Sequence, residues 1–549
     1  MNLPNPAIVA ERGAQRLPRW ALLAFCAAYV MPGLFGRDPW RNADLSAFGF
    51  MASIASGHAS WWQPAIAGIP ADGAPLPYWI GALAIKAMPF FDAAFAARLP
   101  YALVLVLVLV LTWYSSFHLA CTEAAQPVAF AFGGEAHSID YARALADGAL
   151  LALIASLGLL RLGHETTPEL LQLLSITLYL YGLAAAPFRA AKSRWALIAA
   201  LPMLAASGAP AVSLALTLLG AVLCRRSSYE EVRKVAWWLL ASGLLSAASA
   251  WAFKAWAWRV NVSDGTALPV EMLSLLGWFC WPAWPLALWT VWRWRQHWQR
   301  RHILVPSVIV LVPIATSLLM NAQDAALLLT LPPMAVLAAF ALPTLRRGIA
   351  AAVDWYSVFF FSGCAIFVWL YYVSMQLGWP AQPLANVRRL YVGFEPSFNP
   401  FALVLALAAT AAWLALVRWR TARNRHAFWK SLAMAAGGVA LCWLLAMTLW
   451  LPIANYVRSN GPLVERLRPY LPPQGAAECV AAPGQALSTL AALEFQGHWR
   501  MQANEPLARS TCRYAVQSGL TTVPEGWEQI ATVRRPSDRV QSWVVLRRR

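Results

Sequence analysis

Residues 37–86, RDPWRNADLSAFGFMASIASGHASWWQPAIAGIPADGAPLPYWIGALAIK, form a polar stretch rich in tryptophan and proline between two apolar runs, 20–36 and 99–119. How this stretch is read decides the fold. If the flanking runs cross a membrane, residues 37–98 are a long loop held at its surface, and Asp38, Asp44 and Asp72 lie within that loop. Carboxylates are scarce in this chain, 25 Asp plus Glu in 549 residues. Ionisable side chains kept against a bilayer are costly, so these three are the first candidates for chemistry.

The composition supports the membrane reading. With 60% hydrophobic and only 12% charged residues, and a mean hydropathy of +0.52, the chain carries more apolar surface than a soluble domain buries. Further apolar runs fall at 148–163, 169–188, 234–257, 268–292, 302–320, 326–344, 356–377, 400–417 and 430–452. The run 193–224 is interrupted by Ala206-Ser207-Gly208-Ala209-Pro210 and reads as one kinked helix or two short ones. An α-helical polytopic protein of about eleven to thirteen transmembrane helices is expected.

A net charge of +18 would suggest nucleic acid in a soluble protein. Here the basic residues sit in short loops between runs, such as RWRQHWQRR at 293–301 and RWRTARNRH at 418–426. That is the positive-inside pattern, and no nucleic-acid partner is expected. Arg12, Arg16 and Arg19 precede the first run with no small-residue cleavage site after it, which reads as an uncleaved, cytoplasmic N-terminus in a bacterial inner membrane. Alternating between the basic loops puts the chain beyond the last run in the periplasm. Residues 1–455 then form the transmembrane domain, with 37–98 as its periplasmic first loop, and 456–549 a small periplasmic C-terminal domain.

One segment stays ambiguous. Residues 121–146, CTEAAQPVAFAFGGEAHSIDYARALA, are too polar for an ordinary span. As a cytoplasmic loop the segment leaves Asp147 on the side of the N-terminus. As a short re-entrant crossing it puts Asp147 on the side of the first loop.

In the tail, residues 513–516 and 542–546 alternate as strands do and 484–495 carries a helical pattern, so the tail is expected to be a small α/β domain. Cys479 and Cys512 are the two cysteines in this polar region, and an oxidising compartment would let them form a disulfide. The other six lie in or beside apolar runs as small core residues. No pair of cysteines has metal-ligand spacing.

The candidate site residues each have two readings. Asp44 precedes LSAFGFMASIASG and can cap that helix, or act as general base on an acceptor hydroxyl. Asp72 is a metal ligand or a turn aspartate. Trp61 and Trp62 suit interfacial anchors. Arg388 and Arg389, Lys254 and Arg259 either stabilise a phosphate or snorkel to the interface. His58 and His137 are candidate ligands or bases, or simply solvated loop histidines, the commoner case for a lone loop histidine.

In order along the chain come Asp44, a short helix ending in Ser56-Gly57, Trp61-Trp62-Gln63-Pro64, Gly68, Asp72, Pro75-Leu76-Pro77-Tyr78-Trp79, and Ala96-Ala97-Arg98-Leu99. This order resembles the first periplasmic loop of the polyprenyl-phosphate-dependent membrane glycosyltransferases, the aminoarabinose transferases and protein mannosyltransferases. Ala142-Arg143 followed by Asp147 is similar to the family's second-loop aspartate, and residues 324–343 to a later proline-bearing helix. The resemblance covers roughly residues 20–345.

It implies a GT-C fold with amphipathic loop helices, a polyprenyl-phosphate-linked sugar donor, a lipid, glycan or protein acceptor, and transfer at the periplasmic face. On it, Asp44 and Asp147 are catalytic, and Asp72 is the acidic residue of the pattern and the ligand of a divalent metal, the one cofactor it allows. The chain departs from the family where many relatives carry lysine: Gly73 follows Asp72, and Ser207-Gly208 stands in place of a lysine-glycine pair. Arg98, Lys86, Arg388 and Arg389 are left to hold donor phosphate. A transporter or flippase would be expected to show repeated halves and charges at mid-membrane, and neither is seen. A catalytically inactive scaffold of the same family is the other alternative.

Overall fold

The computed structural model describes residues 6–40, 42–71, 74–255, 269–320, 323–421, 427–473, 478–520, 522–536, 538 and 541–549. The chain is a multi-pass membrane protein. Seven described helices are long and apolar enough to cross a bilayer, or eight if a pair bent by 102° counts as one span, and three shorter apolar helices accompany them. Long helices are fewer than the apolar runs because glycine and proline divide several runs.

The first helix, α1 (Arg19–Val30), leads into the first loop, which holds α2 (Ala43–Ser56), a hairpin of β1 (Ala65–Ile66) and β2 (Ile69–Pro70), and α3 (Leu76–Ala87). Next come α4 (Ala93–Ala120), α5 (Ser138–Ala155), α6 (Leu157–Leu162) and α7 (Pro168–Ala185). The interrupted run becomes two helices, α8 (Ala190–Ala206) and α9 (Pro210–Arg225). Gly208 between them has a φ of +98°, which L side chains rarely adopt, and Pro210 starts the second helix, where its missing N–H costs nothing.

The second half continues with α10 (Glu230–Ala252), the bent pair α11 (Pro269–Phe279) and α12 (Ala283–Arg293), α13 (Arg301–Leu319), α14 (Asp324–Leu328) and α15 (Leu331–Ala341). Then follow α16 (Arg347–Leu377), the short α17 (Ala381–Leu390), α18 (Pro400–Thr421) and α19 (Lys430–Thr448). The long helices pack on one continuous apolar core in which α5 and α15 are almost entirely buried.

The tail begins with α20 (Leu451–Arg458) and α21 (Gly461–Leu467), then forms a five-stranded mixed sheet with one helix, α22 (Leu487–Phe495). Its strands are β3 (Cys479–Ala481), β4 (Arg500–Gln502), β5 (Tyr514–Ser518), β6 (Trp527–Arg534) and β7 (Ser542–Arg548), in the order β4-β3-β5-β7-β6. The expected strands and helix are all present. Cys479 and Cys512 are joined in a disulfide that ties β3 to the segment entering β5.

The loop helices differ from expectation in one respect. Helix α2 is not an amphipathic helix resting on the membrane surface: Leu45, Phe48, Phe50, Met51 and Ile54 are all buried. The tail domain covers it. Gly49 lies so close to α22 that a Cβ there would come within 2.6 Å of the Ala491 Cβ. Phe48 meets Phe495 edge-on at 6.0 Å. The Ala503 N–H donates to the Ala67 carbonyl at 3.0 Å, and the Ala67 N–H to Glu494 Oε1 at 3.1 Å.

The ambiguous segment 121–146 does not cross. Its backbone pairs with the start of the chain: the Val128 N–H donates to the Ala7 carbonyl at 3.1 Å and the Ala136 N–H to the Val9 carbonyl at 3.0 Å. The segment and the N-terminus therefore share one face of the molecule.

Candidate active site

Asp44 sits in the first turn of α2, with Asn42 rather than Asp44 in the cap position. The capping reading is therefore wrong, and the carboxylate faces elsewhere. Asp44 is 2% exposed and accepts four hydrogen bonds. Oδ1 takes the Thr166 backbone N–H at 2.8 Å and the Thr166 hydroxyl at 2.9 Å. Oδ2 takes Arg37 Nη2 at 3.3 Å and the Trp40 N–H at 3.3 Å. A buried carboxylate needs such a set, because leaving its charge unpaired costs several kcal/mol.

Arg37 extends the network. Its Nη2 also donates to the His164 carbonyl at 2.6 Å, and its own carbonyl accepts from Arg98 Nη1. Arg98, 5% exposed in α4, thus joins the Asp44–Arg37 network, next to a cavity of about 20 Å³ that it lines with Tyr101 and His164. The space is enough for about one water. The His164 ring bonds the Tyr29 carbonyl at 2.8 Å and packs on Trp443 with 4.3 Å between ring centroids. Burial pushes this imidazole down to about 4, so the ring is neutral.

The second carboxylate comes from an unexpected place. Asp147 is not near Asp44. Its Oδ2 accepts the Leu17 N–H at 2.9 Å and its Oδ1 the Trp113 indole at 2.8 Å. Leu17 precedes α1 whereas Arg37 follows it, and Trp113 lies fifteen residues along α4 from Arg98, a rise of about 22 Å. Asp147 is therefore at the face of the N-terminus, opposite Asp44. Beside Asp44, between α6 and α7, stands Glu165. Partial burial, then the nearby Asp44 carboxylate, raise the Glu165 carboxyl to about 8, with Arg37 opposing them. Glu169 follows in the first turn of α7. Arg161, at the end of α6, bonds Asp324 at 3.0 Å.

Two more residues border the site from the tail. Asn455 accepts from the Asp38 N–H and the Trp40 indole, both at 3.2 Å, and donates to the Gly36 carbonyl at 2.8 Å. The Arg458 guanidinium lies 5.0 Å from the centre of the Trp40 ring, the same distance as that of Arg37. Burial raises the Asp38 carboxyl above its ordinary value.

The remaining expected residues are dispersed. Lys86 ends α3 over the Trp61 ring at 5.3 Å, outside the Asp44 network. Arg388 and Arg389 lie exposed in the last turn of α17. The segment that follows them meets Tyr456, whose hydroxyl donates to the Val392 carbonyl at 2.7 Å. Lys254 is exposed, while Asp72 and Arg259 lie outside the described residues. Among the described residues no three His, Cys, Asp or Glu side chains converge to hold a metal ion.

No known family's sequence model matches this chain, and no curated protein sequence does. Among solved structures, ArnT from Cupriavidus metallidurans bound to undecaprenyl phosphate superposes with a TM-score of 0.65, at 14% identity over 96% of this chain and 97% of that one. The fold is that of ArnT. The apo form of the same ArnT gives a TM-score of 0.60 at 13% identity, over 96% of each chain. The archaeal oligosaccharyltransferase AglB from Archaeoglobus fulgidus, in complex with an inhibitory peptide and a dolichol-phosphate, gives 0.47 at 11% identity, over 91% of this chain and 69% of that one. The ArnT-like GT-C fold includes the small C-terminal domain, since the superposition spans nearly the whole of both chains. The resemblance drawn from the first loop and the similarity to ArnT therefore agree on the architecture.

Proposed function

We propose that this protein is a glycosyltransferase that moves a sugar from a polyprenyl-phosphate donor to a hydroxyl-bearing lipid, glycan or protein acceptor at the Asp44 face. One observation carries the reading: within an ArnT-like fold, Glu165 sits in the segment that Thr166 bonds to the fully bonded Asp44 carboxylate, beside a group of arginines. In this proposal the acceptor oxygen bonds to the anomeric carbon of the sugar. The bond from that carbon to the phosphate oxygen breaks, and its electron pair leaves with the polyprenyl phosphate. The acceptor proton passes to the deprotonated form of Glu165, a stronger base for its raised pKa and one increasingly populated as pH approaches 8.

Asp44 holds Arg37 and the second loop in place rather than taking the proton itself, since its four acceptor positions are filled. Positive charge for the departing phosphate comes from the exposed Arg458 at the edge of the site, backed by the buried Arg37 and Arg98. These arginines take the place of the two lysines that the sequence lacks.

The test is sugar transfer in proteoliposomes supplied with undecaprenyl-phosphate-linked sugars, with release of undecaprenyl phosphate as the readout. Turnover by the wild type and Asp147→Asn, with loss in Glu165→Gln, is the expected result. A folded wild type that turns over no donor, or a Glu165→Gln variant as active as the wild type, would overturn the reading.

A further inference from the structure

A cavity far larger than the one beside Arg98 lies away from the Asp44 site. It is a groove of about 650 Å³ between α1 and α18, with α19 as its floor. That volume lies in the range of small-molecule sites, roughly 300–1,000 Å³. Its walls are built from small residues at helical spacing: Ala21, Ala24 and Ala28 on α1, and Ala408, Ala412 and Ala415 on α18. On the floor, Gly437 touches both sides, since a Cβ there would meet Leu416 at 2.6 Å and Phe25 at 3.3 Å. Helix α18 has 11% of its apolar window buried, and beside the groove it meets α16 through Trp369–Thr410 and Trp413–Ser362.

The two ends of the groove differ in charge. One end is framed by Trp20, Trp419 and Trp429 and is the face of the N-terminus, where the Trp429 indole bonds the Gln15 carbonyl. The basic residues gather there. Arg16 and Arg19 flank the start of α1 and Arg418 lies near the end of α18, all three at the protein surface. Arg420 beside them is spent on Asp354. The opposite end, at Ala28, Leu405 and Leu444, is lined by apolar side chains alone.

An apolar groove framed at one end by tryptophans, with surface arginines next in sequence to its lining residues Leu17, Pro18, Trp20 and Trp419, complements an amphiphile with an anionic head and a hydrocarbon chain. We propose that the groove holds a chain of an anionic phospholipid whose phosphate is met by Arg16, Arg19 and Arg418. The orientation argues for a bilayer phospholipid and against a polyprenyl-phosphate donor. The basic end lies on the Asp147 face, so a donor seated here would carry its phosphate to the side opposite Asp44 and Glu165. The bound lipid would serve as a wedge that fixes α18 against α1, two helices joined mainly through α19.

Native mass spectrometry of the full chain, released from detergent with defined lipids, tests this. Phosphatidylglycerol should bind more tightly than phosphatidylcholine, by about fivefold per basic residue and so by roughly a hundredfold for three. Replacing Arg16, Arg19 and Arg418 together by Gln should bring phosphatidylglycerol down to the level of phosphatidylcholine. These positions lie at the surface, so folding is not at issue. Filling the groove with Ala24→Phe and Ala412→Phe should remove phosphatidylglycerol without changing the melting temperature measured in phosphatidylcholine. Equal binding of the two phospholipids by the wild type, or full phosphatidylglycerol binding by the triple Gln variant, would overturn the proposal. So would displacement of phosphatidylglycerol by undecaprenyl phosphate that the triple variant abolishes, which would assign the groove to the donor.

Discussion

Thr166 gives both its backbone N–H and its hydroxyl to the same oxygen of Asp44, at 2.8 and 2.9 Å, across 122 positions of sequence. This joint, rather than a shared helix, brings the first loop to the segment between α6 and α7 and so sets Glu165 beside Asp44. Thr166→Val should keep the backbone bond and lose the other, with a stability cost of about 1–2 kcal/mol and a clear fall in transfer. Thr166→Ser should restore most of both, as read by melting temperature and turnover.

Breaking the Asp44–Arg37 pair from one side leaves a buried charge alone. Asp44→Asn and Arg37→Met are each expected to cost about 3–5 kcal/mol. Combining them should cost less than the sum of the two, because the uncompensated charge disappears. A double-mutant cycle on thermal unfolding checks this, and additive costs would contradict a direct pairing.

Glu165, with its carboxyl raised to about 8, should impose a pH profile on transfer. Below that value the group holds its proton and cannot accept another, so turnover should rise as pH increases through about 8. Glu165→Gln should be inactive across the range, whereas Asp147→Asn should keep both the activity and the profile of the wild type.

Glu494 makes the attachment of the tail to the first loop sensitive to pH. Burial raises its carboxyl to about 7, opposed by the Ala67 N–H, and its Oε2 is buried without a hydrogen-bond partner among the described residues. The folded value lies above the ordinary carboxyl range. The stabilising contribution is therefore fully present below about 4.5 and is lost as pH rises through about 7. Hydrogen exchange of the β1–β2 hairpin should accelerate over that window, and Glu494→Gln should flatten the dependence.

Sidedness can be read from two exposed positions. Phe132, in the segment paired with the N-terminus, and Trp62, in the first loop, are 103% and 70% exposed. Phe132→Cys and Trp62→Cys, in a variant that retains only the two disulfide cysteines, should react with an impermeant thiol reagent from opposite sides of the membrane.

The architecture was legible because the hydropathy of a bilayer-spanning chain is written in long runs, and because the order of residues from Asp44 to Leu99 is carried by local spacing. The tail was legible too, since its strands alternate visibly. The site was legible in part. Asp44 and Arg98, both named from the loop pattern, join one buried network through Arg37. Asp147 lies away from it, and the sequence left its side open because that turned on whether residues 121–146 cross, and a polar segment gives no hydropathy signal either way. What resolved it was backbone pairing between Ala7 and Val128, a contact invisible to periodicity. With that segment as a loop on the N-terminal side, the following run delivers His164-Glu165-Thr166 to the Asp44 face, and Glu165 could have been found that way. Arg458 and Asn455 left no signal at all, since their place depends on how the tail folds back over the loop.

That fold-back governs when the site can come into being. Ala67 and Glu494 are 427 positions apart, and α2 is buried only once α22 lies against Gly49. During synthesis the first loop emerges early and waits, with Phe48 and Ile66 uncovered, while every later span is inserted and the tail is made. Contacts this distant are slow to form and leave apolar surface open to aggregation in the interval. A ribosome that stops between residues 448 and 487 therefore releases a chain that has its helices through α19 and its carboxylates but lacks α22, the cover over α2.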